Sequence, residues 1–422
     1  MKLLFVDVNG EHSNVMWKNY RNALNSEFDI EYYGPGYVSE SSLDDGLEKY
    51  IDSRGGFDII IVSSYLLDSN VMEKRSNIWT AYWLHRYLLP NYELCEAVRY
   101  SISIVNALKR IKDIPRIILL QRDVADLSEE AAEELIDFLE AGFYIMGWGL
   151  QFSTPQMDVK KEEMGCFQIN TRYRKICENF YRQIISVPPV AINEANICMT
   201  SLGRRECDWI VPGNLVGYPH RQQIFEYLKC NGHDIWDKDR LRSEFIYRKS
   251  KVANLTRIKY RNLYDAIVDN LTDSLNFIVP SQVPRKELCM YREKHLEGLR
   301  MSRYAYVDGS VARFFNAKYA EIPASGALMV GETCYGLKEM GFVPGIHMVE
   351  ASVETIGDII AYINDNPEKI QTIAWNAQKL VIQKHTFRNR AKSIKISCEK
   401  ILAGTFGGSH WENGDYIVDE LK

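Results

Sequence analysis

The stretch KYAEIPASGALMV, residues 318–330, sets the architecture. It begins as a short helix carrying Glu321, is broken by Pro323, turns tightly at Ser325-Gly326 and enters the apolar run 327–330. That places the Glu321 carboxylate near the carboxyl edge of a sheet, where open α/β sheets bind ligands. Gly326 allows either a close backbone approach or a positive φ. By spacing alone, the competing interpretation is a helix–turn–strand joint with a solvated glutamate.

Outward from this stretch, short apolar runs alternate with longer amphipathic segments, the pattern of parallel sheets covered by helices. Strands are expected at 3–8, 57–63, 116–121 and 143–148, and helices at 15–24, 98–111 and 129–141. Pro188-Pro189 opens a crossing that ends in Arg204-Arg205-Glu206. A second series follows, with strands at 208–212, 275–279, 304–307, 328–330 and 347–349. Its helices fall at 221–231, 319–324, 353–364, 367–384 and 389–402. With 422 residues the chain is too long for one ordinary core, which makes two α/β domains the natural division.

Composition removes several classes of function. The net charge is −5 with acids and bases interspersed, and there is no Lys/Arg-rich tail, so a nucleic-acid partner is not expected. The 9 cysteines are scattered and show no CxxC or Cys/His ligand spacing, which fits a reducing cytosol rather than a disulfide framework or zinc site. The N-terminal MKLLFVDVNG reads as a strand, its apolar run cut by Asp7, and not as a signal peptide. No stretch reaches the ~20 apolar residues of a membrane span. The expected location is cytoplasmic, with any membrane contact made peripherally at the inner face.

Downstream of 318–330 come GLKEMGFVPG at 336–345, residues 347–350, a helix at 356–364, Asn366-Pro367-Glu368, and His385-Thr386-Phe387-Arg388-Asn389-Arg390-Ala391. Upstream, 208–212 is followed by Gly213-Asn214 and Tyr218-Pro219-His220-Arg221. This ordered set, spanning about 204–402, resembles the C-terminal half of the group 1-type glycosyltransferases, in particular the branch that includes spore-maturation glycosyltransferases. The resemblance implies a GT-B fold: α/β, with two Rossmann-like domains whose parallel sheets face across a cleft. Residues 1–203 would bind the acceptor and 204–385 the nucleotide sugar. The helix 386–403 would cross back to the first domain, with Ala391, Ile394, Ile396, Ile401 and Leu402 buried there and Arg388 and Arg390 at the hinge. Residues 404–422, with Gly407-Gly408, would form an exposed tail.

The same resemblance distributes roles. The acid matching Glu321 accepts hydrogen bonds from the donor's ribose hydroxyls. Ser325-Gly326 and Gly213-Asn214, with Gly217, face the diphosphate beside helix N-termini, where backbone N–H groups favour anions. Arg221 adds a cationic contact, or is a solvated first-turn arginine. Many relatives carry a second glutamate eight residues before the one matching Glu321; here that position is Arg313, which cannot act as a base but suits a phosphate. Arg205, Arg285, Lys286, Arg303 and Lys318 are all candidates for the remaining diphosphate cation.

In the first half the resemblance is only to the strand–loop–helix pattern. The loop after the first strand holds Glu11 and His12, and the loop after the third holds Asp123. His12 and Asp123 are the candidates for general base or acceptor-orienting group, against a polar loop residue and an N-cap. Asp237-Lys238-Asp239 has the form of a metal-binding D-x-D but reads as a surface loop, and GT-B enzymes generally need no metal, so neither a metal nor a cofactor is expected. Trp79, Tyr82, Trp83 and Tyr87, with Lys74, Arg75 and Arg86, fit a membrane-surface helix, a packed core helix or a sugar-stacking surface.

The implied reaction moves a sugar from a nucleotide-diphosphate sugar to a hydroxyl of a saccharide, lipid-linked or protein acceptor, as in bacterial surface glycan synthesis. Retention is expected, since many of the best-matching relatives retain. Two alternatives stand beside it: a nucleotide-sugar epimerase on the same fold, for which His385 and Glu332 are the candidate groups, and a non-catalytic nucleotide-binding relative.

Overall fold

The computed structural model describes residues 1–7, 15–64, 66, 92–120, 129–147, 176–188, 190–213, 215, 218–236, 285–309 and 315–421. The first unit is a sheet of strands β1 (Lys2–Val6), β2 (Asp29–Tyr33), β3 (Ile59–Ser63), β4 (Arg116–Leu120), β5 (Tyr144–Gly147) and β6 (Ile184–Ile185). Their order is β2-β1-β3-β4-β5-β6 and every pairing is parallel.

Alternation along each strand divides the core in two. Leu4, Val6, Ile60, Val62, Ile118 and Leu120 pack on one face against helices α3 (Leu47–Ser53), α4 (Tyr92–Arg110) and α5 (Glu129–Glu140). The short helix α2 (Glu40–Asp45) precedes α3. On the other face, Leu3, Phe5, Ile59, Ile61, Ile117 and Leu119 meet Tyr20 and Leu24 of α1 (Val15–Asn25).

The second unit has strands β7 (Cys207–Ile210), β8 (Ser302–Val307), β9 (Leu328–Gly331) and β10 (Val349–Glu350), all parallel, in the order β10-β9-β8-β7. Its helices are α6 (Pro219–Cys230), α7 (Arg285–Met301), α8 (Lys318–Ala324), α9 (Ile356–Asp365) and α10 (Pro367–Lys384). The residues of α8 pack into one core cluster, whereas those of α6 and α9 pack into another with Val330 and Val349. Two parallel α/β units are the architecture expected of the GT-B fold.

Helix α11 (Phe387–Leu402) returns to the first unit. Its Phe387, Ala391, Ile394, Cys398 and Ile401 complete the cluster around Leu3 and Phe5. Ile396 and Leu402, expected to be buried, face solvent at 46% and 45% exposure, because they lie off the stripe those five residues form. At the crossing, Ile192 donates to the His385 carbonyl and Phe387 donates to the Ile192 carbonyl, each at 3.0 Å. Thr386 caps α11, its hydroxyl accepting from the Asn389 amide at 3.2 Å.

The residues after Gly404 are not an exposed tail. They form a separate two-stranded antiparallel sheet, β11 (Phe406–Glu412) and β12 (Asp415–Glu420), packed beside β6 of the first sheet. The Ser186 amide donates to Ser409 Oγ at 2.8 Å, and Trp411 Nε1 donates to the Ser186 carbonyl at 2.6 Å. Gly407-Gly408 lies where the hairpin register shifts, and a Cβ on Gly408 would stand 2.8 Å from the Tyr181 ring. These glycines serve close packing, and Phe406, Ser409 and Trp411 are buried.

Candidate functional site

Three strands of the second sheet end in residues with chemistry to offer. Past β7 the chain reaches Gly213, past β8 it reaches Asp308, and past β9 it reaches Glu332, all at the carboxyl edge. Helices α6 and α8 begin at the same edge and contribute Arg221 and Lys318.

Asp308 is buried, and Arg221 donates to its Oδ1. The Arg221 guanidinium also lies over the Tyr218 ring, 4.1 Å from its centroid. Lys318 Nζ is 3.8 Å from the same Asp308 oxygen. Asn316 fixes the start of α8: its Oδ1 accepts from the Lys318 amide at 3.0 Å and its Nδ2 donates to the Asp308 carbonyl at 2.9 Å.

Gly213 closes the group. Its φ is +95°, and a Cβ there would stand 3.0 Å from Arg221 Nη1 and from both Cε and Nζ of Lys318. The backbone of the β7 loop therefore lies directly against two cationic side chains that share one carboxylate. Burial, then the Arg221 charge, push the Lys318 pKa down to about 7, against the pull of Asp308 and Glu321. Two bases, one acid and the N-terminus of the 12-residue α6 make this edge suited to an anion.

Glu321 lies one helical turn beyond Lys318 and is only 8% exposed, with Oε2 3.3 Å from His295 Nε2 on α7. Glu332 is held more tightly. Its Oε1 lies 2.7 Å from His220 Nδ1 and accepts from the Tyr306 hydroxyl at 3.2 Å, while its backbone carbonyl accepts from Tyr319 at 2.7 Å.

Gly213, Arg221, Lys318 and Glu321 are thus brought together, and Ser325 and Gly326 are not. The turn at 325–326 leads into β9, so it lies at the amino edge of the sheet, opposite the strand-end group. Ser325 Oγ donates to the Ile322 carbonyl at 2.7 Å, and a Cβ on Gly326, whose φ is +76°, would stand 2.7 Å from both Arg205 Nη2 and the Cys198 carbonyl. Arg205 itself is buried and donates to the carbonyls of Thr200, Leu299, Ser302 and Ser325. Arg303 is paired with Asp208 at 2.9 Å. Among the described side chains, Lys318 is therefore the candidate cation found at the site.

His12, Asp123, Asn214, Gly217 and Arg313 lie outside the described residues, as do Asp237-Lys238-Asp239, the aromatic segment 79–87 and the side chains of Arg285 and Lys286. His385 is buried and committed elsewhere, with Nε2 on the Met340 carbonyl at 2.8 Å and Nδ1 accepting from Arg390 at 2.9 Å. It therefore has no ring nitrogen to offer a ligand. Two residues at the edge were not picked out as donor-site groups in the sequence, Asp308 and His220. Asp308-Gly309 directly after an apolar strand was the signal for the first; His220 lay in view within Tyr218-Pro219-His220-Arg221.

Comparison with known proteins bears on this half of the chain. Residues 280–395 match the glycosyl transferase-like family model. The matched segment contains α8, β9 and α10, and with them Lys318, Glu321 and Glu332. A search of curated proteins finds no match. Among solved structures, the chain is similar to Anabaena HepE in complex with UDP and glucose, at 10% identity and a TM-score of 0.48, over 95% of this chain and 100% of that one. It is also similar to sucrose-phosphate synthase from Thermosynechococcus elongatus, at 11% identity and a TM-score of 0.48, over 96% and 100%. A glycosyltransferase from Rickettsia africae aligns at 10% identity and a TM-score of 0.45, over 95% and 98%.

Proposed function

We propose that the protein is a glycosyltransferase that moves a sugar from a nucleoside-diphosphate sugar to an acceptor hydroxyl. The observation that carries this reading is the packing of Arg221 and Lys318 against the Gly213 backbone at a carboxyl sheet edge. The family match over 280–395 supports it. In glycosyl transfer the bond from the anomeric carbon to the diphosphate breaks while the acceptor oxygen bonds to that carbon, and negative charge grows on the departing phosphate. Arg221, Lys318 and the α6 N-terminus are placed to meet that charge, and Glu321 takes the ribose hydroxyls. Charge neutralisation by these side chains makes transfer metal-independent and without a cofactor in this reading.

The finer features belong to the same proposal. The acceptor, a saccharide, lipid-linked or protein hydroxyl of surface glycan synthesis, binds at the first unit, with His12 and Asp123 as the groups that orient or deprotonate it. Transfer retains the anomeric configuration and takes place in the cytoplasm, with peripheral contact at the inner membrane face. No helix among the described residues is long and apolar enough to cross a membrane.

Calorimetry with a panel of nucleoside diphosphates tests the central claim. At least one should bind the wild-type chain, and Arg221→Ala should weaken it about tenfold or more, as expected for loss of a charge-assisted contact. Absence of binding across the panel would reject the reading.

A further inference from the structure

Two carboxylates stand one residue beyond the carboxyl ends of β8 and β9, and each is met by one residue of the first turn of α6. Val307 and Gly331 are in register, and the Glu332 amide donates to the Val307 carbonyl at 3.0 Å. Asp308 and Glu332 therefore sit on neighbouring strands, about 4.8 Å apart laterally. Arg221 takes Asp308 and His220 takes Glu332.

The two pairs differ in what they leave open. The Arg221 and Asp308 side chains are 3% and 7% exposed, whereas those of His220 and Glu332 are 49% and 22% exposed. Glu332 Oε1 serves both His220 and Tyr306, and Oε2 has no hydrogen-bond partner among the described residues. With Nδ1 donated to Glu332, His220 presents Nε2 outward. An acceptor oxygen and an imidazole nitrogen thus lie side by side, one strand from the Arg221–Lys318 group. Tyr306 and Tyr319 hold Glu332 in place, so little order has to be imposed when a ligand arrives.

The chemistry of the pair selects its ligand. Phosphate oxygens only accept, and the Glu332 carboxylate repels them. A sugar hydroxyl both donates and accepts, and two neighbouring hydroxyls match a carboxylate oxygen beside an imidazole. Position agrees with this. Helix α8, which bears Glu321, packs into one core of the second sheet and α6 into the other. With the diphosphate between them, ribose at Glu321 leaves the transferred sugar toward α6.

We propose that Glu332 and His220 form the subsite for the transferred sugar, Glu332 Oε2 accepting a hydrogen bond from one hydroxyl and His220 Nε2 meeting its neighbour. This rests on the donor reading above.

The test compares a nucleoside diphosphate with its sugar conjugate, using matched pairs such as UDP and UDP-glucose or GDP and GDP-mannose. Whichever diphosphate binds wild type gives the pair used. Glu332→Gln should leave the diphosphate affinity within about twofold and weaken the sugar conjugate about tenfold, so the gain from the sugar shrinks. His220→Ala, at a half-exposed position that tolerates truncation, should act in the same direction and serves if the first variant folds poorly. Equal losses for both ligands would assign the pair to the phosphates and overturn the proposal, as would no loss for either. Failure of wild type to bind any diphosphate would reject the donor reading itself and the subsite with it.

Discussion

Arg390 Nη2 lies 2.9 Å from His385 Nδ1, a buried arginine donating to a buried imidazole. The contact fixes the imidazole as neutral, since Nδ1 accepts while Nε2 donates to the Met340 carbonyl. The ring stacks on Phe342, with centroids 5.5 Å apart. Burial, then the Arg390 charge, hold the His385 pKa well below its ordinary value.

This depression makes stability depend on pH. Below the unfolded-chain histidine value of about 6.5, the unfolded state binds a proton that the native state refuses. Stability should therefore be full above that pH and fall beneath it, by up to about 1.4 kcal/mol per unit from this residue. His347, also depressed by burial, adds to the slope with the same sign. Urea unfolding at pH 7.5 and 5.5 should show a smaller acid loss for His385→Gln than for wild type; equal losses would remove His385 from the account.

Arg390 ties the crossing together. Besides His385, it donates to the Val190 carbonyl through Nε at 3.2 Å and Nη2 at 3.1 Å and to the Lys384 carbonyl at 3.1 Å, and it lies over the Trp411 ring. Arg390→Leu leaves these acceptors buried without a donor, at a cost of about 3 kcal/mol or more. Arg390→Lys should recover only part of that, because an ammonium cannot reproduce the planar fork. Chemical denaturation of both variants measures the difference, and a lysine variant as stable as wild type would contradict it.

Lys318, with its pKa near 7, is expected to couple nucleotide binding to protonation. A bound diphosphate raises that pKa, so binding takes up a proton at pH 8. Affinity should be level below about pH 7 and decline above it, until the raised value is passed. Calorimetry in buffers of different ionisation enthalpy should show uptake approaching one proton at pH 8, lost in Lys318→Met. Uptake unchanged in the variant would place the titration on another group.

Glu321→Ala should weaken the nucleoside diphosphate itself, by about tenfold, because the ribose hydroxyls belong to the nucleotide and not to the sugar. Unchanged affinity by calorimetry would remove Glu321 from the ribose.

If Arg221 and Lys318 meet the leaving charge as proposed, turnover should survive EDTA. Activity abolished by EDTA and restored by Mn²⁺ would contradict that expectation.

Much of the architecture was legible because buried parallel strands announce themselves. The runs at 59–62 and 117–120 are apolar on both faces, and Asn366-Pro367 marks the start of α10 without ambiguity. Strand β2 was not found: DIEYY carries two acids and only Tyr33 is buried, as suits a sheet edge. The site was legible where motif and strand end coincide, as at Gly213 and Arg221. Ser325-Gly326 departs from expectation because a turn that enters a strand lies at the amino edge of the sheet, away from the carboxyl edge that the diphosphate role requires. His220 and Glu332 are 112 residues apart, and no local pattern joins them.

The cluster around Leu3, Phe5 and Ile59 has a consequence for how the chain is made. Beyond α1, part of its cover runs from Phe387 to Phe406, so the first sheet emerges from the ribosome with one apolar face incompletely covered. That face waits while the second unit is synthesised, and the contacts that cover it span most of the chain. Such non-local closure is slow and leaves the intermediate open to aggregation. Chaperone engagement should therefore be strongest on nascent chains that stop short of residue 387.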